Sequence, residues 1–517
     1  MSEAQVFSAA GVVAPHPAAA AAARDILVEG GNAIEAAVTA AAVCAVVLPS
    51  HAGLAADALW MIREPGGRGR TRVIDARGPA CAAAIPTRHG DVDAETIPDL
   101  GPAAVLTVPG APAGWHAALE LSAALGGRVP VSRLLEPAAI LARTGFAMPR
   151  LDLPDDRLAA LAAVPGFADA FLIDGRSPDP GTTRRLPALA ETLAYLAHAG
   201  LDDVYRGDVG REMAADLERS GSPLGRDDLR RMEARWRTPA SLAIGRQAFE
   251  APPTTEGHAF LLGLDLFGRL ARPTLDSVAH WHGLIESRTR AAAMVSDTDA
   301  DDLAPLVGSR RLIEHAEAIG HGRIVPIAPL PFADEDGAWI GVVDPKGLAA
   351  TLVASMGRAF GSGVVLPGTG ILMNGRASAF EPGDEAGSVL RPGRRAPFAG
   401  LPLVTTSHDG CLRIFGVTGA GAAFLAAQVV SRIDLGQAPM PAVAAPRMTA
   451  AETTDGAALA IEDGFDDGIA RGLRRLGHPI LAPAAECFGD GGLLLRQPGG
   501  RIAISVDPRR DGATEGF

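Results

Sequence analysis

At 517 residues, 48% of them apolar, the chain can bury a large core, and no run of about 18 uncharged apolar residues marks a membrane span. Its 47 basic against 60 acidic residues leave a net charge of −13, which disfavours a nucleic-acid partner because neutralising phosphates requires a basic face. A single lysine, Lys346, leaves Schiff-base and pyridoxal chemistry almost without a candidate.

In chain order, a helix is expected over Ala18–Glu29, ended by Gly30-Gly31. Asn32 then caps a second helix, Ala33–Leu48, which Pro49 closes. Ala58–Arg63 and Thr71–Ala76 read as strands around a glycine-rich turn, and Val108–Trp115 as a loop opening a helix of about ten residues. The middle, Val131–Arg323, is mainly helical by periodicity, with His280–Met294 and Leu303–Ile319 the clearest cases. Within it a Pro-Pro-Thr-Thr loop at Pro252 breaks onto the helix Ala259–Leu270.

Trp339–Val343 and Leu348–Ser355 form a hairpin whose turn, Asp344-Pro345-Lys346-Gly347, has proline and glycine where such turns want them. Phe360–Asn374 follows with glycines spaced for close backbone approach or positive φ. Leu401–Thr406 and Cys411–Val417 make a further strand pair, and Gly416–Gly421 opens the helix Ala422–Ile433. A last helix carries Phe465, Ile469, Leu473 and Leu476 on one face, between Asp463 as N-cap and Gly477 as C-cap, before the hairpin Leu493–Arg496/Arg501–Val506. Strands at both ends with helices between them point to one α+β domain.

The four cysteines (Cys44, Cys81, Cys411, Cys487) lack metal or redox spacing and read as buried thiols of a reducing compartment. The opening MSEAQVFSAAGVVAP has no basic stretch leading into an apolar one, so the expected location is the cytoplasm. The loop Gly361–Gly368 lacks the Lys-Ser/Thr of a P-loop, and Gly416–Gly421 is not in G-x-G-x-x-G order. The helix after Gly421 still offers N–H donors suited to an anion or oxyanion. Asp297, Asp299, Asp301 and Asp302 lack the glycine and late glutamate of a calcium loop. His280, His282 and Glu286 have metal-ligand character but no second cluster in the sequence, so ordinary packing is the expectation and no metal is assigned. A G-x-S-x-G elbow is missing, which disfavours an α/β-hydrolase.

Several stretches, in this order, are specific: Gly30–Ala37 (GGNAIEAA), Asp75–Pro79 (DARGP), Val108–Gly114 (VPGAPAG), Val342-Val343-Asp344, Phe360–Gly363 (FGSG), Gly370–Asn374 (GILMN) and Asp507–Gly512 (DPRRDG). Through them the chain resembles the γ-glutamyltransferase family of N-terminal-nucleophile hydrolases along most of its length. The resemblance implies a four-layer αββα sandwich over 1–517. It also implies a precursor that cuts itself just before a threonine, here between a 1–336 and a 337–517 part. The threonine hydroxyl attacks the preceding carbonyl, and the freed amine then serves as its base.

The family pattern places that threonine seven residues before the aspartate of the Val-Val-Asp element, followed by a second threonine and a histidine. Here those positions hold Gly337, Ala338 and Trp339, and no serine, threonine or cysteine occurs from Arg310 to Ala350. The expectation is a chain that neither self-cleaves nor forms the family's acyl-enzyme. Among ligand-binding positions, Arg77 falls on the arginine that holds a substrate carboxylate, and Ser355 keeps a hydroxyl. The family's asparagine two residues on is Gly357. Arg376 and Ala379 replace a glutamine and an aspartate that grip an ammonium, and Phe398 and Ala399 replace a serine pair. Gly419 and Ala420 take the oxyanion positions.

Exchanging a carboxylate for an arginine predicts a partner that is a small carboxylate-containing molecule without a free amine. No cofactor, nucleic acid or membrane partner is expected, and association with further copies stays open. The alternative is an active amide or acyl hydrolase or lyase on the same scaffold. Its acid–base groups would come from Asp334, Glu335 and Asp336, or from a water near Arg77 and Ser355.

Overall fold

The computed structural model describes residues 4–66, 69–84, 97–149, 153–296, 303, 305–320, 322, 324–327, 336–381, 389–419, 421–453, 456–481 and 488–517. Two seven-stranded antiparallel sheets lie face to face. The first runs in the order Ala513–Gly516, Gly11–Ala14, Asp336–Val343, Ala349–Gly357, Asp57–Arg63, Thr71–Ala76, Arg235–Arg237. The second runs Gln5–Phe7, Ile502–Val506, Asp490–Arg496, Leu412–Thr418, Gly400–Ser407, Gln247–Ala251, Ala240–Ile244.

Side chains alternate across each strand, and that alternation sorts them into three cores. On Asp336–Val343, Ile340 and Val342 face a helical layer while Trp339 and Val343 face the other sheet. On Leu412–Thr418, Phe415 and Val417 face the second helical layer and Ile414 the sandwich interior. Ala33–Val47, buried at every residue, lies on the first sheet beside Pro17–Val28, with Val131–Thr144 and Pro187–Ala199 behind it. Thr255–Gly268 and Ala422–Asp434 cover the second sheet, backed by Val278–Ser296 and Asp467–Leu476. The molecule is thus the four-layer αββα sandwich, and among the described residues no helix is long and apolar enough to cross a membrane.

The helix Ala33–Val47 begins in a capping box. Asn32 Oδ1 accepts from the Ile34 and Glu35 amides, and Glu35 Oε2 accepts from the Asn32 amide at 2.8 Å. Asp344 ties that helix to the hairpin, its carboxylate accepting from Ala33 N at 3.3 Å, Lys346 N at 2.9 Å and Leu348 N at 3.0 Å.

At their open end the hairpin strands extend further than the sequence suggests, to give Asp336–Val343 and Ala349–Gly357, because the two pair with each other beyond their outer neighbours, through Ala338↔Ala354 and Asp336↔Gly357. The last helix is capped by Asp466, whose side chain accepts from Ile469 N, and not by Asp463. The helix beginning at Ala111 runs 14 residues. Two hairpins were not anticipated: Ala240–Ile244/Gln247–Ala251, inside the stretch read as mainly helical, and Met448–Thr453/Gly456–Ile461. Cys44 and Cys81 are buried thiols, with burial pushing Cys44 up to about 12. Cys411 is partly exposed, and Cys487 and the acidic turn 297–302 lie outside the described residues.

Candidate functional site

Gly337 stands near the start of the strand Asp336–Val343, where the ends of both sheets converge. Pairing steps from Asp336↔Gly357 to Ala338↔Ala354, so Gly337 opposes two residues of the neighbouring strand, a β-bulge. A Cβ at Gly337 would lie 2.6 Å from the Ala354 carbonyl oxygen and 3.6 Å from Thr418 Cγ2 on the second sheet. The first distance is shorter than van der Waals contact allows, and the obstacle is backbone. Ala338 packs into the helical core. Trp339 fills the sandwich interior, its indole N–H donating to Thr351 Oγ1 at 2.8 Å. Its ring fits because positions 416 and 492 are glycines, where a Cβ would run into it.

One strand over, Ser355 pairs with Asp57 and its Oγ accepts from the Gly357 amide at 3.0 Å. Asp57 is 0% exposed. Its carboxylate accepts from Gly78 N at 2.7 Å and from Arg376 Nε at 3.3 Å. Burial pushes this carboxyl up to about 6, against the pull of Arg376, the Gly78 amide, Arg77 and Arg395.

Arg77 forms a bidentate pair with Asp75, at 2.9 and 2.8 Å, and donates to the Ala396 carbonyl at 3.1 Å. Burial alone would raise Asp75, but Arg77 and Arg395 outweigh it and hold the carboxyl well below the usual range. Arg395 lies 3.7 Å from Asp75, and burial pushes its own guanidinium down to about 10. Arg376 donates to the Pro397 carbonyl and stacks 5.1 Å over the Phe398 ring. Asn374 locks the loop beneath, donating to Ala55 O at 2.7 Å and accepting from Thr107 Oγ1 at 2.7 Å and Arg376 N at 3.2 Å. The same loop holds Phe360 at φ 64, a conformation an aromatic residue rarely takes. Its ring packs against Phe167 and Phe171, with centroids 5.1 and 5.2 Å apart.

Arg77, Ser355, Arg376 and Phe398 are therefore gathered at the end of the sandwich where Gly337 lies. Gly419 borders them after Thr418, whose hydroxyl donates to Asp490. Expectations placed on Asp334, Glu335, Ala420 and the side chain of Asp336 fall outside the described residues. The N-terminus of the helix Ala422–Asp434 is met by a side chain of its own chain: Ala423 N donates to Glu256 at 2.8 Å.

Asp57 and Arg395 escaped the sequence reading. For Asp57 the signal was there, a lone carboxylate inside Ala55-Ala-Asp-Ala-Leu-Trp60. Arg395 sits in an arginine-rich loop with nothing to distinguish it. A Ser–His contact was also missed, Ser50 Oγ standing 2.7 Å from His51 Nδ1. His51 Nε2 accepts from the Arg510 guanidinium, and arginine only donates. The His51 ring is thus held between the Ser50 hydroxyl and the Arg510 guanidinium.

The described carboxylates near Gly337, Asp57 and Asp75, are paired with arginines. Among the described residues one group of three histidine or acidic side chains has metal-ligand spacing, and it lies elsewhere, at His282, Glu286 and His478.

The γ-glutamyltranspeptidase family model matches residues 19–517. The chain is 34% identical to an oxamate amidohydrolase proenzyme of Klebsiella pneumoniae, over 98% of both chains. It is 28% identical to the glutathione hydrolase-like YwrD proenzyme of Bacillus subtilis, again over 98% of both. In three dimensions it is similar to a cephalosporin acylase from Bacillus halodurans, with a TM-score of 0.87, 26% identity, and coverage of 100% of this chain and 97% of that one.

Proposed function

The chain belongs to the γ-glutamyltranspeptidase family, and from that premise we propose that it is a member that remains one polypeptide, does not form the family's acyl-enzyme, and binds a small carboxylate-bearing molecule. The observation that carries this reading is Gly337. It has no hydroxyl to attack with, and the Ala354 carbonyl stands where a side chain would begin. Ala338 and Trp339 beside it are spent on packing.

The charge balance supports the ligand class. Arg77, Arg376 and Arg395 against Asp57 and Asp75 leave three positive charges facing two negative ones. A ligand carboxylate is attracted there and an ammonium is repelled. The Klebsiella relative is named for oxamate, an anion with a carboxylate and a neutral amide. Intact mass after expression tests the first part: one species of 53.0 kDa is expected, and fragments divided before Gly337 would overturn it. Calorimetry tests the second: oxamate and glutarate are expected to bind more tightly than glutamate, and equal or tighter glutamate binding refutes it.

Asp57 favours a second reading, an amide hydrolase with rewired groups. A buried carboxyl raised to about 6 is poised near neutrality for proton transfer to or from a water. Turnover of oxamate that disappears in folded Asp57→Asn and Arg77→Ala would establish this reading in place of the first.

A further inference from the structure

We propose that His282, Glu286 and His478 form a divalent-cation site that pins the helix Val278–Ser296 to the segment leaving the helix Asp467–Leu476. Positions 282 and 286 share one helical face four residues apart. His478 follows the C-cap Gly477 and arrives from 196 residues away, placing its Nε2 2.8 Å from His282 Nδ1. One ligand atom from each of the three residues lies within 4.8 Å of the others. Exposure is 9% at His282, 0% at Glu286 and 3% at His478. His280, two residues earlier, turns the other way and meets Ser431 Oγ at 3.0 Å.

The donor set has the chemistry of a borderline cation site. Two imidazoles and one carboxylate are three protein ligands of the kind zinc accepts, with a fourth position for water. Burial disfavours the charged form of both His282 and His478, and the neutral ring is the form that ligates. Glu286 is held from outside: Arg290 reaches its Oε2 at 3.1 Å and the Val325 amide its Oε1 at 3.3 Å. Such outer contacts orient ligating carboxylates.

The two rings alone make an incomplete arrangement. One proton serves the contact between His282 Nδ1 and His478 Nε2, and the Ile319 backbone bonds the His282 ring as well. A cation would replace that one shared proton and draw both rings and the carboxylate together.

The test uses the full chain after exhaustive dialysis against chelator, titrated with Zn²⁺ by calorimetry and with Co²⁺ by visible absorption. One equivalent per chain, the intense d–d bands of tetrahedral cobalt, and a Zn²⁺-dependent rise in Tm are expected. His478→Ala and Glu286→Gln should each weaken binding at least tenfold. His116→Ala, which removes the exposed His116–Glu120 pair 3.6 Å apart, should leave it unchanged. Absence of stoichiometric binding by the wild-type chain overturns the proposal without any variant, and so does undiminished binding by folded Glu286→Gln.

Discussion

Adding a single methyl group at Gly337 probes the geometry on which the functional reading rests. The new Cβ would start 2.6 Å from the Ala354 carbonyl oxygen, whereas an aliphatic carbon approaches a carbonyl oxygen to about 3.3 Å. The bulge must therefore open by roughly 0.7 Å against a close-packed sandwich. Overpacking of this kind costs about 1–3 kcal/mol, and the stiffer unfolded chain of Gly337→Ala returns about 0.4–1 kcal/mol of it. At about 2.1 cal/mol/K per residue the unfolding entropy of so long a chain converts 1 kcal/mol into roughly 1 °C of Tm. Gly337→Ala should thus lose about 1–2 °C by scanning calorimetry. Gly337→Thr, with two more heavy atoms facing the same carbonyl, should lose more and still run as one band on a denaturing gel. An Ala variant as stable as wild type would show that the strand yields freely. A Thr variant that splits in two would show that the self-cleaving geometry survives, and either result refutes the reasoning.

Arg376→Met should cost about 3–5 kcal/mol, because Asp57 would be left as an uncompensated buried charge; adding Asp57→Asn should recover most of that loss in chemical denaturation, and full additivity would deny that the two form a unit. Gly416→Ala should be strongly destabilising because its Cβ would enter the Trp339 ring. Trp339→Leu in the same chain should relieve it, and a double-mutant cycle without coupling would count against the contact. The carboxyl of Asp57 stands at about 6 in the folded chain against about 3.9 unfolded. The native state therefore binds the extra proton between these values, and stability falls as pH rises through that window, by roughly 3 kcal/mol. Asp57→Asn should flatten this slope in Tm measured from pH 4 to 6.5. Asp75, depressed in the fold, acts with the opposite sign: its contribution is present above about pH 4 and is lost on further acidification, so Asp75→Asn should weaken the acid limb.

The sequence by itself determined an α+β domain, because the hairpin turn Asp344–Gly347 and the capped alanine-rich helix at Asn32 are local properties; the four-layer order was implied only by the family resemblance. It also determined that position 337 has no nucleophile, which is a matter of composition. Whether that position has room for one was beyond its reach. The answer depends on a register shift that brings the Ala354 carbonyl over Gly337, and registers between strands are set by the whole sheet. Asp463 was the expected N-cap, but the helix starts at Asp467, so it is Asp466 whose side chain reaches Ile469 N. Arg77 could be singled out through the family resemblance, and its pairing with Asp75 two residues earlier is local, but the proximity of Arg395, more than three hundred residues away, comes from tertiary packing. The same holds for His478, which no spacing rule connects to His282. Short-range periodicity is written into the chain; the meeting of buried charges and ligands from distant segments is decided only when the two sheets pack.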